Sequence, residues 1–246
     1  MDTLAVTLVS ALTSGAISTG LVWVTSGQQR RDSRRTRRES HDTAYLNPLR
    51  WHTAEAHHRL SLYATSVDRD GHYRPAQVLD DPREVDGKDA AWFAGRGVVL
   101  VSSVWMVACL FAQMTRARQD IPFLRLPGND DTRLAALILK VHVAFAACEV
   151  YYATQSSIGT DVVLEPEGRL RSYREFCDLL AQPERRVWAD PLLWFTIAIA
   201  SGERRPHLQR ALDALQELST FLDASLAGGA SLRARWAAEH QSEQLY

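Results

Sequence analysis

Apolar residues recur with helical spacing along most of the chain, and the pattern is clearest near the C-terminus. In residues 206–226, leucine and alanine return every three or four positions while Arg210, Asp213 and Glu217 face the other way. The same periodicity predicts further helices at residues 48–65, 89–118, 130–154, 169–181 and from Asp190 onward. Alternation of the kind that strands show is confined to residues 162–164. The fold class is therefore expected to be mainly α, a helical bundle.

Helix boundaries follow from capping residues and from proline and glycine. Asn47 is interpreted as an N-cap with Pro48 at the first helical position, and Asp89 as the cap of a long apolar helix. Residues 67–88 are rich in Asp, Gly, Pro and Arg and predict a loop. Because residues 130–154 are apolar on most faces, they are expected to form the central core helix.

A long uncharged segment lies at the start of the chain. Residues 3–29 contain no charged side chain, which is more than the roughly 20 residues that a helix needs to span a bilayer. A cleaved signal peptide would begin with a positive segment, whereas here only Met1, Asp2 and Thr3 precede the apolar run. We therefore predict an N-terminal transmembrane helix, which is retained as an anchor.

Basic residues follow this segment at once. Residues 27–39 carry a net charge of +4, and residues 40–246 carry −4. The run contains six arginines: Arg30, Arg31, Arg34, Arg35, Arg37 and Arg38. Positive charge beside a span favours the cytoplasmic side and attracts anionic lipid, so the domain that follows is predicted to be cytoplasmic. The folded part is not basic, which argues against nucleic acid as a partner.

These features divide the chain into four segments. Residues 1–26 are expected to be a transmembrane anchor and residues 27–46 a basic juxtamembrane stalk. Residues 47–226 are expected to form a cytoplasmic helical domain, with a polar tail at 227–246. The predicted location is the cell membrane, in single-pass topology.

A second apolar run leaves one alternative open. Residues 97–115 are also free of charge, and their length permits a second membrane span. Arg96 and Arg116 flank this run and Gln113 lies within it, which favours a buried core helix instead. In the two-pass alternative, everything after about residue 118 would lie outside the cell.

Candidate chemistry is sparse. Glu55 and His58 have the helical spacing used in carboxylate-bridged di-iron sites, with His52 and His57 nearby, but the sequence contains no second Glu-x-x-His. These residues are therefore interpreted as a solvated polar face, and no metal, cofactor or catalytic residue is assigned. Common nucleophile and phosphate-binding motifs are absent from the sequence.

Single polar and thiol residues have similarly plain interpretations. His142, on an apolar helix, is interpreted as a hydrogen-bonded core residue, and Glu149 lies too far along the helix to pair with it. Ser156, Ser157 and Asp161 are expected in a loop. The three cysteines, at positions 109, 148 and 177, are odd in number and widely spaced, which predicts buried free thiols in a reducing compartment.

The order of these features resembles an uncharacterised family of small bacterial membrane-anchored helical proteins. The matching pieces are the N-terminal span with its arginine run and the segments 45–49, 105–113 and 208–223. The resemblance implies no assigned activity and no mapped site, so no functional residue is carried over. It implies that residues 97–115 form a core helix.

The leading hypothesis is a non-enzymatic, membrane-tethered interaction or regulatory module. Its partners would be membrane lipid, through the N-terminal helix and the arginine run, and a protein partner or a second copy of the chain. The alternative is a membrane-bound enzyme with an unfamiliar helical site that uses His142, Glu149 or the 52–58 cluster. The two-pass membrane protein is the third hypothesis.

Overall fold

A computed structural model of the chain describes residues 45–65, 78–124 and 129–226, without the side chains of 120–124. The predicted anchor at 1–26, the six arginines of the stalk and the tail at 227–246 lie outside the described residues.

Across the described residues the chain is mainly α-helical, as the sequence predicts. The helices are α1 (Asn47–Thr65), α2 (Ala90–Ala94), α3 (Val98–Leu124), α4 (Asp130–Ala146), α5 (Tyr152–Asp161), α6 (Tyr173–Leu180), α7 (Pro183–Arg186), α8 (Asp190–Ala200) and α9 (Arg205–Ser225). A 3₁₀ turn covers Pro82–Val85. The strands β1 (Val163–Leu164) and β2 (Arg169–Leu170) pair antiparallel. The predictions for residues 206–226, for the helix from Asp190 and for a strand within 162–164 are thereby confirmed.

Helix α3 lies at the centre of the bundle. It packs against α1, α5 and α8, while α9 joins α1 and α4 on another side. Edge-to-face contacts connect the core through Phe145, whose ring centroid is 5.1 Å from that of Phe111 and 5.7 Å from that of Phe195. The central helix is therefore α3, and the expectation that residues 130–154 would form it was wrong. Helix α4 is amphipathic and leaves Leu139 and Val143 exposed.

The apolar run at 97–115 is part of this central helix. Within the part of the chain that the structure describes, Val98–Gln119 is the one helix long and apolar enough to cross a membrane. Neighbouring helices bury 72% of its apolar window. Its two buried serines are also hydrogen-bonded, since both hydroxyls donate to the carbonyl of Val99, that of Ser103 at 2.6 Å, and the Ser103 hydroxyl lies 3.0 Å from that of Tyr63. These contacts are those of a core helix.

The helix predicted to start at Asp89 is broken into two. Asp89 does cap a helix, accepting from the Trp92 N–H at 2.8 Å, but α2 ends after five residues. A Cβ on Gly97 would lie 2.3 Å from the Trp92 ring, so this glycine lets the indole pack against the backbone where α3 begins. The N-cap predicted at Asn47 was wrong as well, because the chain is already helical at Tyr45 and Leu46.

The helix predicted over residues 130–154 is also two helices. Helix α4 ends at Ala146, and Glu149 adopts the left-handed conformation with φ 69°. The chain reverses there, and α5 returns against α3. Ser156, Ser157 and Asp161 consequently lie on α5, so the loop expected for them was wrong. The loop predicted at 67–88 is described from residue 78 onward, where Asp81 caps the 3₁₀ turn.

Helices α3 and α5 cross in close contact at Gly159. A Cβ there would lie 2.9 Å from the backbone nitrogen of Ala112 and 2.9 Å from the carbonyl carbon of Phe111. Backbone atoms cannot rotate away as a side chain can, so the crossing requires glycine. The glycine also explains how a short helix with a weak apolar face is held against the core.

We predict that Gly159→Ala destabilises the full-length chain by about 1–3 kcal/mol, measured by urea unfolding. The clash at the crossing must exceed the gain of about 1 kcal/mol that alanine brings to a helix. Thr160→Ala, at the exposed next position, is the matched control and should change the free energy of unfolding by less than about 0.5 kcal/mol. Equal urea midpoints for Gly159→Ala and the parent chain would contradict the crossing.

Candidate interaction surface

Helix α5 is fixed to α4 by the buried amide of Gln155. Its Nε2 donates to the carbonyl of His142 at 2.9 Å and to that of Val150 at 2.6 Å. Its Oε1 lies 2.6 Å from Nδ1 of His142. Because both amide hydrogens are used on carbonyls, the amide oxygen must accept, and His142 Nδ1 carries the hydrogen. One side chain therefore bonds to a carbonyl of α4 and to a carbonyl just before α5.

His142 is a neutral core residue in this arrangement. Burial is the main cause that lowers its pKa, Arg118 lowers it further, and the hydrogen bond with Gln155 opposes both. Its Nε2 is buried and has no hydrogen-bond partner among the described residues. The interpretation of His142 as a hydrogen-bonded core histidine agrees with this geometry. The geometry does not support a catalytic role for His142, because only 3% of the residue is exposed.

Tyr152 is held in place from two directions. Its ring meets His142 edge-to-face, with 5.0 Å between centroids. The guanidinium of Arg118, from α3, lies 5.0 Å from the ring centroid and also donates to the Tyr152 hydroxyl. The ring nonetheless remains 45% exposed. It is thus an aromatic surface residue with a restricted orientation.

A groove of about 530 Å³ runs along α5 between Tyr152 and Trp188. Its other lining residues are Ala153, Ser156, Ser157, Thr160 and Asp161. Desolvation raises the pKa of Asp161, and the nearby Arg185 and Arg171 partly oppose this shift. The lining of the groove therefore combines two aromatic side chains with three hydroxyl groups and one carboxylate.

Two exposed aromatic side chains, Tyr152 and Trp188, line this groove. Among the ten large hydrophobic residues that are exposed within the described part of the chain are also Tyr151 and Val187, which precede these two in the sequence, and Leu139 and Val143 on α4, the helix whose His142 contacts Tyr152. We call these six the aromatic surface: Leu139, Val143, Tyr151, Tyr152, Val187 and Trp188. Leu139 and Val143 are four residues apart on α4 and so share one face, and Val143 follows the histidine that touches Tyr152. Grouped exposed hydrophobics of this kind mark interaction sites.

The histidines of α1 are not assembled into a metal site. His52 Nδ1 lies 3.1 Å from Glu55 Oε2, one helical turn away. Over residues 45–65, 78–124 and 129–226, no three His, Cys, Asp or Glu side chains are placed to hold a metal ion together. His57 and His58 have other contacts. The His52–Glu55 contact is a local pair on one helix face.

Glu149 and His142 do not act together. Glu149 Oε2 pairs with Arg204 Nη2 at 2.9 Å, whereas His142 bonds to Gln155. The sequence-based expectation that the two residues would not bond to each other holds, although they lie on different sides of a helix break and not on one helix.

The cysteines are free and buried, as predicted from their spacing. Burial raises the pKa of Cys109 to about 12 and that of Cys148 to about 11. Burial is also the main cause that raises the pKa of Cys177. Thiols that resist ionisation are weak nucleophiles, so none of the three is suited to nucleophilic catalysis.

Sequence reasoning missed the aromatic surface. A signal existed at Val187 and Trp188, which follow a proline and a charged stretch where core residues are not expected. Tyr151 and Tyr152 were assigned to the interior of one long helix. Only the break at Glu149 places them at the start of α5, where they are exposed.

Comparison of the chain with protein-family models, with curated proteins and with solved structures found no match in any of the three.

We predict that stability falls with acidification because of His142. Its pKa is lower when folded than when unfolded, so its contribution is complete above the unfolded value of 6.5. It is lost progressively as the pH falls below 6.5 toward the folded pKa, since the unfolded chain then binds the extra proton. Urea unfolding between pH 8 and pH 5 measures this slope.

His142→Gln cannot titrate and should flatten that slope. The substitution also removes ring packing and lowers stability at every pH, so the comparison is between slopes and not between levels. All other titrating groups are common to the two proteins. A variant that keeps the full slope of the parent chain would show that another group causes the acid sensitivity.

Proposed function

We propose that this protein is a membrane-tethered interaction module whose helical domain docks a protein partner through the aromatic surface. The observation that carries the proposal is a groove lined by two exposed aromatic side chains, Tyr152 and Trp188, with four further exposed hydrophobic residues next to them in the sequence or on α4. Exposed apolar area of this kind is unfavourable in water, and burial against a partner removes it. Tyrosine and tryptophan supply large contact areas at low cost in side-chain entropy.

The support beneath the surface favours binding to a protein. Tyr152 is fixed between His142 and Arg118, so little of its freedom is left to lose when a partner binds. Trp188 lines the same groove. Between them, the hydroxyls of Ser156 and Ser157 can bond to a partner's polar groups without the charge repulsion that a strongly ionic floor would impose.

The tether is proposed from the sequence. Residues 3–29 are uncharged and long enough to span a bilayer, and the six arginines that follow favour a cytoplasmic domain. The other apolar helix, Val98–Gln119, already has most of its surface covered within the bundle. We therefore propose a single-pass topology, in which the N-terminal segment spans the membrane and Val98–Gln119 stays in the core of the domain.

Photocrosslinking tests the partner. With p-benzoylphenylalanine in place of Trp188, irradiation of intact cells should give a discrete protein adduct of the full-length chain. The double change Leu139→Ser with Val143→Ser, which leaves the crosslinker untouched, should weaken that adduct at least fivefold because it removes apolar contact from the same surface. Quantitative blotting gives the yield, and mass spectrometry identifies the adduct.

Trp51 on α1 is the matched control, because its side chain is 44% exposed and it does not line the groove. Crosslinker at Trp51 should not give the same adduct. An adduct that is insensitive to the double change, or that contains lipid alone, would contradict a protein partner. An adduct of two copies of the chain would identify self-association.

Deletion of residues 2–26 tests the tether. We predict that the shortened chain moves from the membrane fraction to the supernatant after centrifugation, since the remaining apolar helix is buried in its own domain. Reporter fusions after Met114, after Arg125 and at Tyr246 should all report a cytoplasmic location. A shortened chain that resists alkaline extraction, or an external signal after Arg125, would instead support a second span.

A further inference from the structure

Positive charge surrounds the groove along α5. Among the described residues that line the groove, the one charged side chain is Asp161. Three arginines act on its lining residues from outside, and we call them the basic rim: Arg118 on α3, Arg171 after β2 and Arg185 on α7. The charge of this rim bears on what kind of partner the aromatic surface can accept.

Arg118 supplies the charge at the Tyr152 end of the groove. Its guanidinium lies 5.0 Å from the centroid of the Tyr152 ring and donates to the hydroxyl group of that residue. Both contacts are with a neutral phenol, so neither cancels the positive charge. Arg118 is exposed, and it forms no ion pair with the described residues. A carboxylate that approaches Tyr152 would therefore meet an unneutralised guanidinium.

Two arginines lie at the Asp161 end. Arg171 Nε donates to the backbone carbonyl of Asp161 at 2.7 Å, which again leaves its charge in place. Arg185 is exposed, and its backbone carbonyl accepts the N–H of Trp188 at 3.3 Å. Both guanidinium groups oppose the rise in the pKa of Asp161, so both are close enough to act on this carboxylate. Two positive charges thus surround one negative charge here.

Other charged groups beside the aromatic surface do not remove this excess. Lys140, which follows Leu139 on α4, pairs with Glu217. Arg186 is buried and paired with two aspartates. Glu184, the exposed neighbour of Arg185 in α7, brings the carboxylates to two, still fewer than the three arginines of the basic rim.

We propose that the groove binds a segment of the partner protein in which an acidic residue adjoins apolar residues. This inference rests on the function proposed above and names the chemistry of the partner. The apolar residues would lie against Tyr152 and Trp188, and the carboxylate would pair with the basic rim. A basic segment would be repelled, and a wholly apolar one would cover guanidinium groups without replacing their hydration.

Two other anionic partners fit the site less well. Anionic lipid would match aromatic and basic side chains, but a bilayer surface is flat at this scale and would not fill a groove of about 530 Å³. A long polyanion such as nucleic acid would meet a domain whose charge is negative overall, since residues 40–246 carry −4. A short acidic segment needs only the local excess of positive charge.

The test uses the full-length chain with the crosslinker at Trp188, in intact cells, and changes the charge of the basic rim. Arg118→Gln with Arg185→Gln should lower the yield of the protein adduct by about fivefold or more, because two of the three positive charges are lost. Arg118→Lys with Arg185→Lys keeps both charges and a cation over the Tyr152 ring, so the yield should stay within about twofold of the parent. Arg96→Gln is the matched control.

Arg96 is exposed and precedes α3, about 30 Å along that helix from Arg118, so its substitution should leave the yield unchanged. Blotting for the full-length chain checks that all variants accumulate equally. Mass spectrometry supplies a second readout, since the crosslinked segment of the partner should contain Asp or Glu within about four residues of the attachment point.

Two results would overturn this inference and leave the proposed function intact. One is a protein adduct whose yield is equal in the glutamine and lysine pairs, and the other is an adduct whose crosslinked segment has no acidic residue. The absence of any protein adduct, or an adduct of lipid alone, would overturn both the proposed function and this inference.

Discussion

The arrangement of the described domain depends on one buried amide. Gln155 satisfies two carbonyl groups at the corner between α4 and α5 and also determines which nitrogen of His142 carries its hydrogen. A reversal of the chain inside a core leaves backbone groups without helical partners, and unpaired groups there are costly. Here Gln155 bonds to the carbonyl of Val150, Arg204 bonds to that of Cys148, and backbone N–H groups of the turn bond to those of Phe145 and Ala146. The chain can therefore turn sharply and bring α5 back over α3.

The corner between α4 and α5 also determines where the surface residues of α5 lie. With α5 held at Gln155 and pressed onto α3 at Gly159, Tyr152 at its start has a defined position over His142. The part of the groove that α5 and Tyr152 form then follows from backbone geometry. A surface built on a short helix is usually adaptable, but here the helix is secured at its middle and near its end. Stability and the proposed binding role are thus coupled through the same few residues.

The positions of helices could be read from the sequence where apolar periodicity is strong and the caps are local. Residues 206–226 and the helix from Asp190 belong to this class, since proline and leucine spacing act within a few residues. The breaks at Gly97 and Glu149 could not be read in the same way. The left-handed Glu149 is paired with Arg204, 55 residues further along the chain, and Gly97 is required only because the indole of Trp92 folds back onto it.

The candidate surface was unpredictable for a related reason. Periodicity identifies residues that are suited to burial, but whether Tyr152 or Val143 is in fact covered depends on which helix lies above it. The choice of central helix failed for a different reason. Val98–Gln119 is apolar enough to cross a membrane, whereas α4 contains Asp130, Asp131, Arg133 and Lys140, so composition already favoured 98–119 as the enclosed helix.

The three buried cysteines are natural probes of local unfolding, because the rate at which each is labelled reports how often its surroundings open. Each thiol is shielded and hard to ionise in the folded chain, so a thiol reagent must wait for the surrounding helices to separate. Cys109 lies in the central helix, Cys148 at the corner beside α4, and Cys177 on the short α6. The order in which they become labelled would therefore rank these regions by how often each one opens, without any probe being added to the chain.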